Sequence, residues 1–423
     1  MTREVFRLSP LLLVILIDTI GYSIIVPVLA PVLIDDQPTM MASYSAHARY
    51  IVYGVAIGVY ELVMLYMAPV LGEISDRAGR RPVLVLSIVG IILSFLMIGF
   101  SMAANLVFLL ILGRIIGGAT AGSQAVAQAA AVDRSTPDTK AMVLSLCLFA
   151  SSVGFILGPV LGGVLANGAL VAWFDSATPL YAVALLALFS LFLLLATEPR
   201  SERASRFSLR EIDLLMGLKG FKAAFADKYV RGLVIVFTLM QIAWGAFFLF
   251  VPSLLINRFD FDGSQIAMFM AVLGVGFCIA YGAVLPLLSR KFPVRSIAAA
   301  GLWLTSVLLA VSIWSHEVWL QWAIAIPIAT TVSVAYGAII TMFSDSVTPE
   351  RQGWILGITI SVTAFAWGFA SIVSGVLSGI SYVAPLIMAL VTLTLSSIAI
   401  HRMKHLARAW CGNLSRRLVN ARD

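Results

Sequence analysis

The chain has 423 residues, 61% of them hydrophobic and only 12% charged, with a mean hydropathy of +1.00 and a formal net charge of +7. A soluble domain carries about 45–50% apolar and about 25% charged residues, so this chain lacks the polar surface to stay dissolved and has no room for a large soluble catalytic domain. Three cysteines far apart in sequence (Cys147, Cys278, Cys411) argue against a disulfide framework or a cysteine metal site.

Arg3 and Arg7 precede an apolar run that starts at Leu11 and continues to about Leu33. That run carries Asp18 and lacks a clean small-residue cleavage site, so it reads as a retained first helix and not a secretion signal. Further apolar runs follow at roughly 50–71, 83–101, 105–131, 141–165, 178–196, 230–256, 265–288, 296–314, 318–343, 354–378 and 382–400. A membrane helix needs about 20 apolar residues, and the expected fold is an all-α membrane protein with twelve transmembrane helices in two pseudo-symmetric six-helix bundles. The longest loop, 197–229, separates an N-terminal bundle over 1–196 from a C-terminal bundle over 230–400, followed by a basic tail at 401–423. Duplicated six-helix units are common in transporters. An internal echo supports one here: GEISDRAGRR follows helix 2 and PLLSRKFPVR follows helix 8, the second copy without its acid.

Of 28 lysines and arginines, 25 fall near the N-terminus, in the 72–82, 132–140, 197–231 and 289–295 segments, at Arg351 or in the tail; the opposite loops hold only Arg49 and Arg258. The positive-inside rule then puts both termini in the cytoplasm, and a bacterial inner membrane is the expected location. The basic balance is topology, so no nucleic-acid partner is expected. SLREIDLLMGLKGFKAAF, within the long loop, has the character of a helix lying on the membrane surface, and HRMKHLARAW in the tail is similarly basic. Anionic lipid headgroups are the expected partners of both.

Three charges fall well inside apolar spans: Asp18 in helix 1, Glu61 in helix 2 and Arg114 in helix 4. A charge in hydrocarbon costs a few kcal/mol, so such residues face a cavity or a partner. At ~1.5 Å per residue all three lie near the midplane, where secondary transporters bind their cargo. The functional reading is that Glu61 or Asp18 takes up and releases a proton, with Arg114 tuning it. The competing reading is a static buried ion pair that fixes helix packing.

Four stretches carry a family resemblance: IDTIGYSIIVPVL in helix 1, GEISDRAGRR after helix 2, LGRIIGGATAG in helix 4 and GFILGPVLGG in helix 5. Together they resemble the major facilitator superfamily, specifically its twelve-helix drug/proton antiporter branch, which includes the tetracycline efflux pumps. In the loop, Gly72 and Gly79 permit a tight turn, and Asp76, Arg77, Arg80 and Arg81 form a charge cluster. The resemblance implies that Asp76 docks against the start of helix 11 in the outward-facing state and that Asp133 joins the network, making a conformational latch. Gly154, Gly158, Gly162 and Gly163 line one face of helix 5 without side chains, which lets helices touch backbones, and Pro159 adds a bend. The resemblance makes this an antiporter hinge between the two halves, and gives Arg114 a part in proton coupling. Glu61 and the absence of an acid inside helices 7–12 depart from the tetracycline pumps and argue against a metal-chelated tetracycline as cargo.

Candidate cavity residues are Tyr22 in helix 1, Gln241, Trp244, Phe247 and Phe248 in helix 7, Tyr336 in helix 10, and Phe365 and Trp367 in helix 11. An apolar cavity with few polar groups suits a lipophilic substrate, and aromatic faces suit a cationic one. The expected function is a proton-coupled antiporter exporting small lipophilic, drug-like molecules by alternating access. It is expected to work as a monomer with no cofactor beyond the proton. The alternative is a transporter of a specific metabolite such as an amino acid, nucleoside or siderophore. An enzyme is not expected: His47 and His316 lie in loops and His401 and His405 in the tail, with no third metal ligand nearby.

Overall fold

The computed structural model describes residues 2–35, 39–136, 139–197, 230–347 and 352–403, together with Lys219, Lys222, Phe225 and Ala226. The surface helix expected within 197–229 and the tail beyond residue 403 lie outside the described residues, those four positions apart.

Among the described residues twelve apolar helices make the fold, as a bilayer demands, because hydrocarbon offers no partner for an exposed peptide group. They are α1 (Thr2–Ile34), α2 (Ala46–Ala78), α3 (Arg80–Ala104), α4 (Val107–Asp133), α5 (Lys140–Leu165), α6 (Thr178–Thr197), α7 (Arg231–Phe259), α8 (Gly263–Ser289), α9 (Val294–Trp314), α10 (Val318–Asp345), α11 (Gln352–Ser378) and α12 (Ala384–Arg402). The span α4 is interrupted, which its apolar pattern did not indicate. It breaks after Ala119 and resumes at Ser123. The cause is local: Gly117, Gly118 and Gly122 surround Thr120, whose hydroxyl donates to the carbonyls of Ile116 and Gly117.

Packing repeats after six helices. In the first bundle α1 packs on α5 and α6, α2 on α4, and α3 on α4 and α6; in the second, α7 packs on α11 and α12, α8 on α10, and α9 on α10 and α12. The loop echo has a structural counterpart. Arg81 at the start of α3 donates to the carbonyl of Leu195 at the end of α6 (3.0 Å), and Arg295 at the start of α9 donates to Ile400 at the end of α12 (2.7 Å). These arginines are equivalent in the two echoed loops, and each ties the third helix of its bundle to the sixth. Between α2 and α3 the chain reverses at a single residue, Gly79, whose φ of 98° only glycine adopts without strain.

The bundles meet mainly along α2 with α11 and α5 with α8. The end bearing the 72–82 and 289–295 loops is the basic end, and the opposite end is the far end. At the far end the seam is closed. Tyr53 donates to the carbonyl of Leu249 (2.7 Å), Ser371 donates to that of Gly54 (2.8 Å), and Tyr50 takes hydrogen bonds from Ser253 (3.1 Å) and Asn257 (2.9 Å). There a side chain on Gly54 would lie 2.9 Å from Gly375 Cα. Toward the basic end of the same two helices, Gly72 and Gly357 have nothing within 4 Å of where a Cβ would stand. The bundles are closed at the far end, and toward the basic end these two positions stand open.

Candidate functional site

The three intramembrane charges all lie in the first bundle, and the structure keeps them apart. Glu61, 2% exposed, accepts the Tyr22 hydroxyl of α1 at 2.8 Å. Arg114, 5% exposed, donates its Nε to the carbonyl of Ala56 at 2.8 Å and holds its guanidinium 4.4 Å above the ring centroid of Tyr60. Among the described residues no ion pair joins Arg114 to Glu61 or Asp18. The ion-pair reading is thereby corrected: a carbonyl and an aromatic face hold the guanidinium, leaving Glu61 in its field without direct contact. Asp18 is partly accessible and takes a hydrogen bond from Ser123 Oγ at 2.7 Å. Ser123 is the first residue after the break in α4, so the carboxyl meets the N-terminal end of a half-helix, whose dipole favours a negative group.

Beside these charges the two bundles share a closed circuit of rings. Tyr22 (α1) meets Trp367 (α11) at 6.1 Å, Trp367 meets Phe248 (α7) at 5.8 Å, and Phe248 meets Trp244 at 5.7 Å. Trp244 meets Phe277 (α8) at 5.9 Å, Phe277 meets Phe155 (α5) at 6.1 Å, and Phe155 returns to Tyr22 at 6.0 Å. These centroid spacings lie in the range of favourable aromatic pairs. Tyr60 joins from the side, 6.1 Å from Tyr22, and Phe247 packs on Trp244 at 5.4 Å. The indole N–H of Trp367, a residue 8% exposed, has no hydrogen-bond partner among the described residues. The next residue, Gly368, runs so close to α2 that a Cβ there would lie 3.3 Å from that of Glu61.

Of the expected cavity residues, Tyr22, Trp244, Phe247, Phe248 and Trp367 come together. The others do not. Gln241 is buried and spends its amide on Thr363 Oγ1 at 2.9 Å, Tyr336 packs on Phe237, and Phe365 stacks on its helix neighbour Phe369. Sequence reasoning missed Phe155, Phe277, Tyr60 and Ser123. The first two sit among the glycines of the inter-bundle helices (GFILG, GVGFC), and Ser123 follows the glycine-rich run that breaks α4.

At the basic end Arg80 pairs with both Asp76 and Asp133, the latter at 2.9 Å, while Arg77 pairs with Glu73. These contacts stay within the first bundle. The glycine stripe of α5 also needs correction as a seam between halves. Side chains at Gly154 and Gly158 would press on the α1 backbone, 2.9 Å from the Leu16 carbonyl oxygen and 2.8 Å from that of Ile20, and Gly162 likewise faces Ile24. Only Gly163 faces the other bundle, at Ala267 of α8. With Pro159 inside the helix, the three inner glycines join helices of one bundle, because a 3.6-residue period turns the i, i+4 face to a single neighbour.

The sequence profile of the Major Facilitator Superfamily matches residues 11–374. The chain belongs to the major facilitator superfamily. This facilitator is 27% identical over 358 residues to the class C tetracycline resistance protein of Escherichia coli, covering 82% of this chain and 83% of that one. It is 25% identical over 403 residues to multidrug resistance protein 1 of Bacillus subtilis (strain 168), covering 93% and 95%. Its fold superposes with a TM-score of 0.75 on a bacterial homologue of the human lysosomal transporter Spinster, in an inward-facing and occupied conformation, at 15% identity over 95% of this chain and 96% of that one. The protein is therefore a multi-pass membrane transporter, not an enzyme.

Proposed function

We propose that this facilitator is a proton-coupled antiporter that exports small lipophilic compounds, cationic ones among them, from the cytoplasm. In this reading the basic end is cytoplasmic, the membrane is a bacterial inner membrane, and the described conformation is inward-open.

The observation that carries the reading is the junction of Tyr22, Glu61 and Trp367. A buried carboxyl from the first bundle is hydrogen-bonded by a tyrosine that is itself part of the ring circuit shared with the second. A planar or cationic molecule entering from the basic end would meet aromatic faces and then compete for the hydroxyl that holds Glu61. Proton and substrate would thus exclude one another at one place, as exchange transport requires. Asp18, partly accessible and close to the opening, serves as the second proton-exchanging group, and Arg114 keeps a positive field on both tyrosine and carboxyl. The resistance functions named for the bacterial relatives favour export; the lack of an acid in the interior of α7–α12 argues against a metal-chelated tetracycline.

The test is transport by purified protein in proteoliposomes with an imposed pH gradient, against a panel of lipophilic cations, neutral aromatics, amino acids, nucleosides and siderophores. Lipophilic compounds should move in exchange for protons and compete with one another. Movement of a single hydrophilic metabolite, with no competition from lipophilic compounds, would favour the metabolite reading instead.

A further inference from the structure

Between α9 and α12, at the outer surface of the second bundle, lies a groove of about 650 Å³. Its walls are mostly carbon: Trp303, Val307 and Ala310 from α9, Leu390 and Ile398 from α12. Its lower end opens at His401 and Arg402, the last residues of α12 at the basic end. Trp303, Val307 and Ile398 are exposed, as expected of a surface that acyl chains cover.

Three hydroxyls line this groove, and they behave differently. Ser306 donates to the carbonyl of Leu302 (2.9 Å) and Thr394 to that of Leu390 (2.7 Å), each turned back on its own helix. Ser397 is only 4% exposed, yet its Oγ has no partner among the described residues. An unmade hydrogen bond at a buried hydroxyl costs about 1–3 kcal/mol; the hydroxyls of Ser87, Ser190, Ser374 and Ser378 are also unmade, but of these serines only Ser397 lines this groove. Ser397 stands one helical turn, ~6 Å at 1.5 Å per residue, deeper than His401. The mouth is arranged for an anion. Carbonyls at a helix C-terminus repel negative charge, but here Arg295 covers those of Ile400 (2.7 Å) and His401 (3.1 Å), and His401 Nδ1 lies 2.7 Å from the carbonyl of Ser397. Arg402 adds a further cation beside the opening.

We propose that this groove binds an anionic diacyl phospholipid. Its phosphate sits against Arg402 at the mouth, an ester carbonyl accepts the Ser397 hydroxyl one turn deeper, and an acyl chain runs along Trp303, Val307, Leu390 and Ile398. A headgroup, an ester and a chain follow one another in a phospholipid in the same order as cation, hydroxyl donor and apolar wall along this groove.

The experiment uses the full-length protein, delipidated in detergent and titrated with phosphatidylglycerol or phosphatidylcholine, with bound lipid counted by native mass spectrometry and melting followed in parallel. The wild type should retain phosphatidylglycerol at least fivefold better than phosphatidylcholine. Arg402→Gln should remove that preference, and Ser397→Phe, which fills the groove, should reduce retention of both lipids. If Ser397→Phe fails to fold, Thr394→Trp fills the groove from an exposed position. Equal retention of the two lipids by the wild type would overturn the proposal. So would unchanged phosphatidylglycerol retention in Arg402→Gln together with a groove-filling variant, since the lipid would then sit elsewhere.

Discussion

The hydroxyl of Tyr22 in α1 donates to the carboxylate of Glu61 in α2 at 2.8 Å, and this bond joins the buried acid to the ring circuit shared by both bundles. Removing the hydroxyl leaves a buried acceptor unsatisfied, at a cost of about 1–3 kcal/mol. Tyr22→Phe should therefore lower the melting temperature in detergent. In the Glu61→Gln background the same change should cost measurably less, because the two groups act together. Losses that add within about 0.5 kcal/mol would mean that the pair is not coupled.

Tyr50 and Tyr53 hold the far end shut through hydrogen bonds to α7. Each bond contributes about 0.5–1.5 kcal/mol net, so the Tyr50→Phe/Tyr53→Phe pair should shift the balance between far-closed and far-open states by roughly tenfold, since about 1.4 kcal/mol is a factor of ten. Spin labels at Tyr44 and Glu317, on the far loops of the two bundles, read this as a longer distance population once Cys147, Cys278 and Cys411 are replaced. An unchanged distance distribution would remove these tyrosines from the gate.

The two kinds of glycine in α5 should respond differently to substitution. Gly158→Ala presses a methyl group onto the α1 backbone within one bundle, and overpacking of this kind costs about 1–3 kcal/mol; it should lower stability regardless of conformation. Gly163→Ala presses on Ala267 of α8, across the seam between the bundles. It should leave the fold intact and lengthen the Tyr44–Glu317 label distance.

The Arg80 cluster offers a contrast between stability and transport. Asp76 and Asp133 are 67% and 56% exposed, so breaking their pairs with Arg80→Gln should cost no more than ~1 kcal/mol of stability. A latch role predicts a loss of transport well beyond that, about tenfold, with expression and melting temperature nearly unchanged. Proportionate losses in both would make the cluster a fold element only.

Much of the fold was legible because hydrocarbon is a strict solvent. Apolar runs of helical length and the echo of GEISDRAGRR in PLLSRKFPVR carried spans and duplication, and Arg81 and Arg295 show the echo as one brace used twice. The three intramembrane charges were found by the same solvent rule. Their pairing was not, because composition cannot tell that Tyr60 and the Ala56 carbonyl, not an acid, hold Arg114. The ring circuit was half visible. Trp244 and Trp367 stand out in sequence, but Phe155 and Phe277 look like any lipid-facing aromatic until two bundles turn them toward each other. Gln241 illustrates the reverse error: an isolated amide in an apolar span found its partner in Thr363, a weakly polar residue that hydropathy hides.

Glu61 as the coupling carboxyl is the central claim, and the most direct measurement compares wild type with Glu61→Gln in proteoliposomes under two regimes. One is substrate movement driven by a pH gradient; the other is exchange of labelled for unlabelled substrate with no gradient. Glu61→Gln should lose gradient-driven transport by at least tenfold while keeping exchange within about twofold of wild type, because a neutral amide cannot cycle a proton but leaves the ring circuit in place. Gradient-driven transport by Glu61→Gln at the wild-type rate would contradict it.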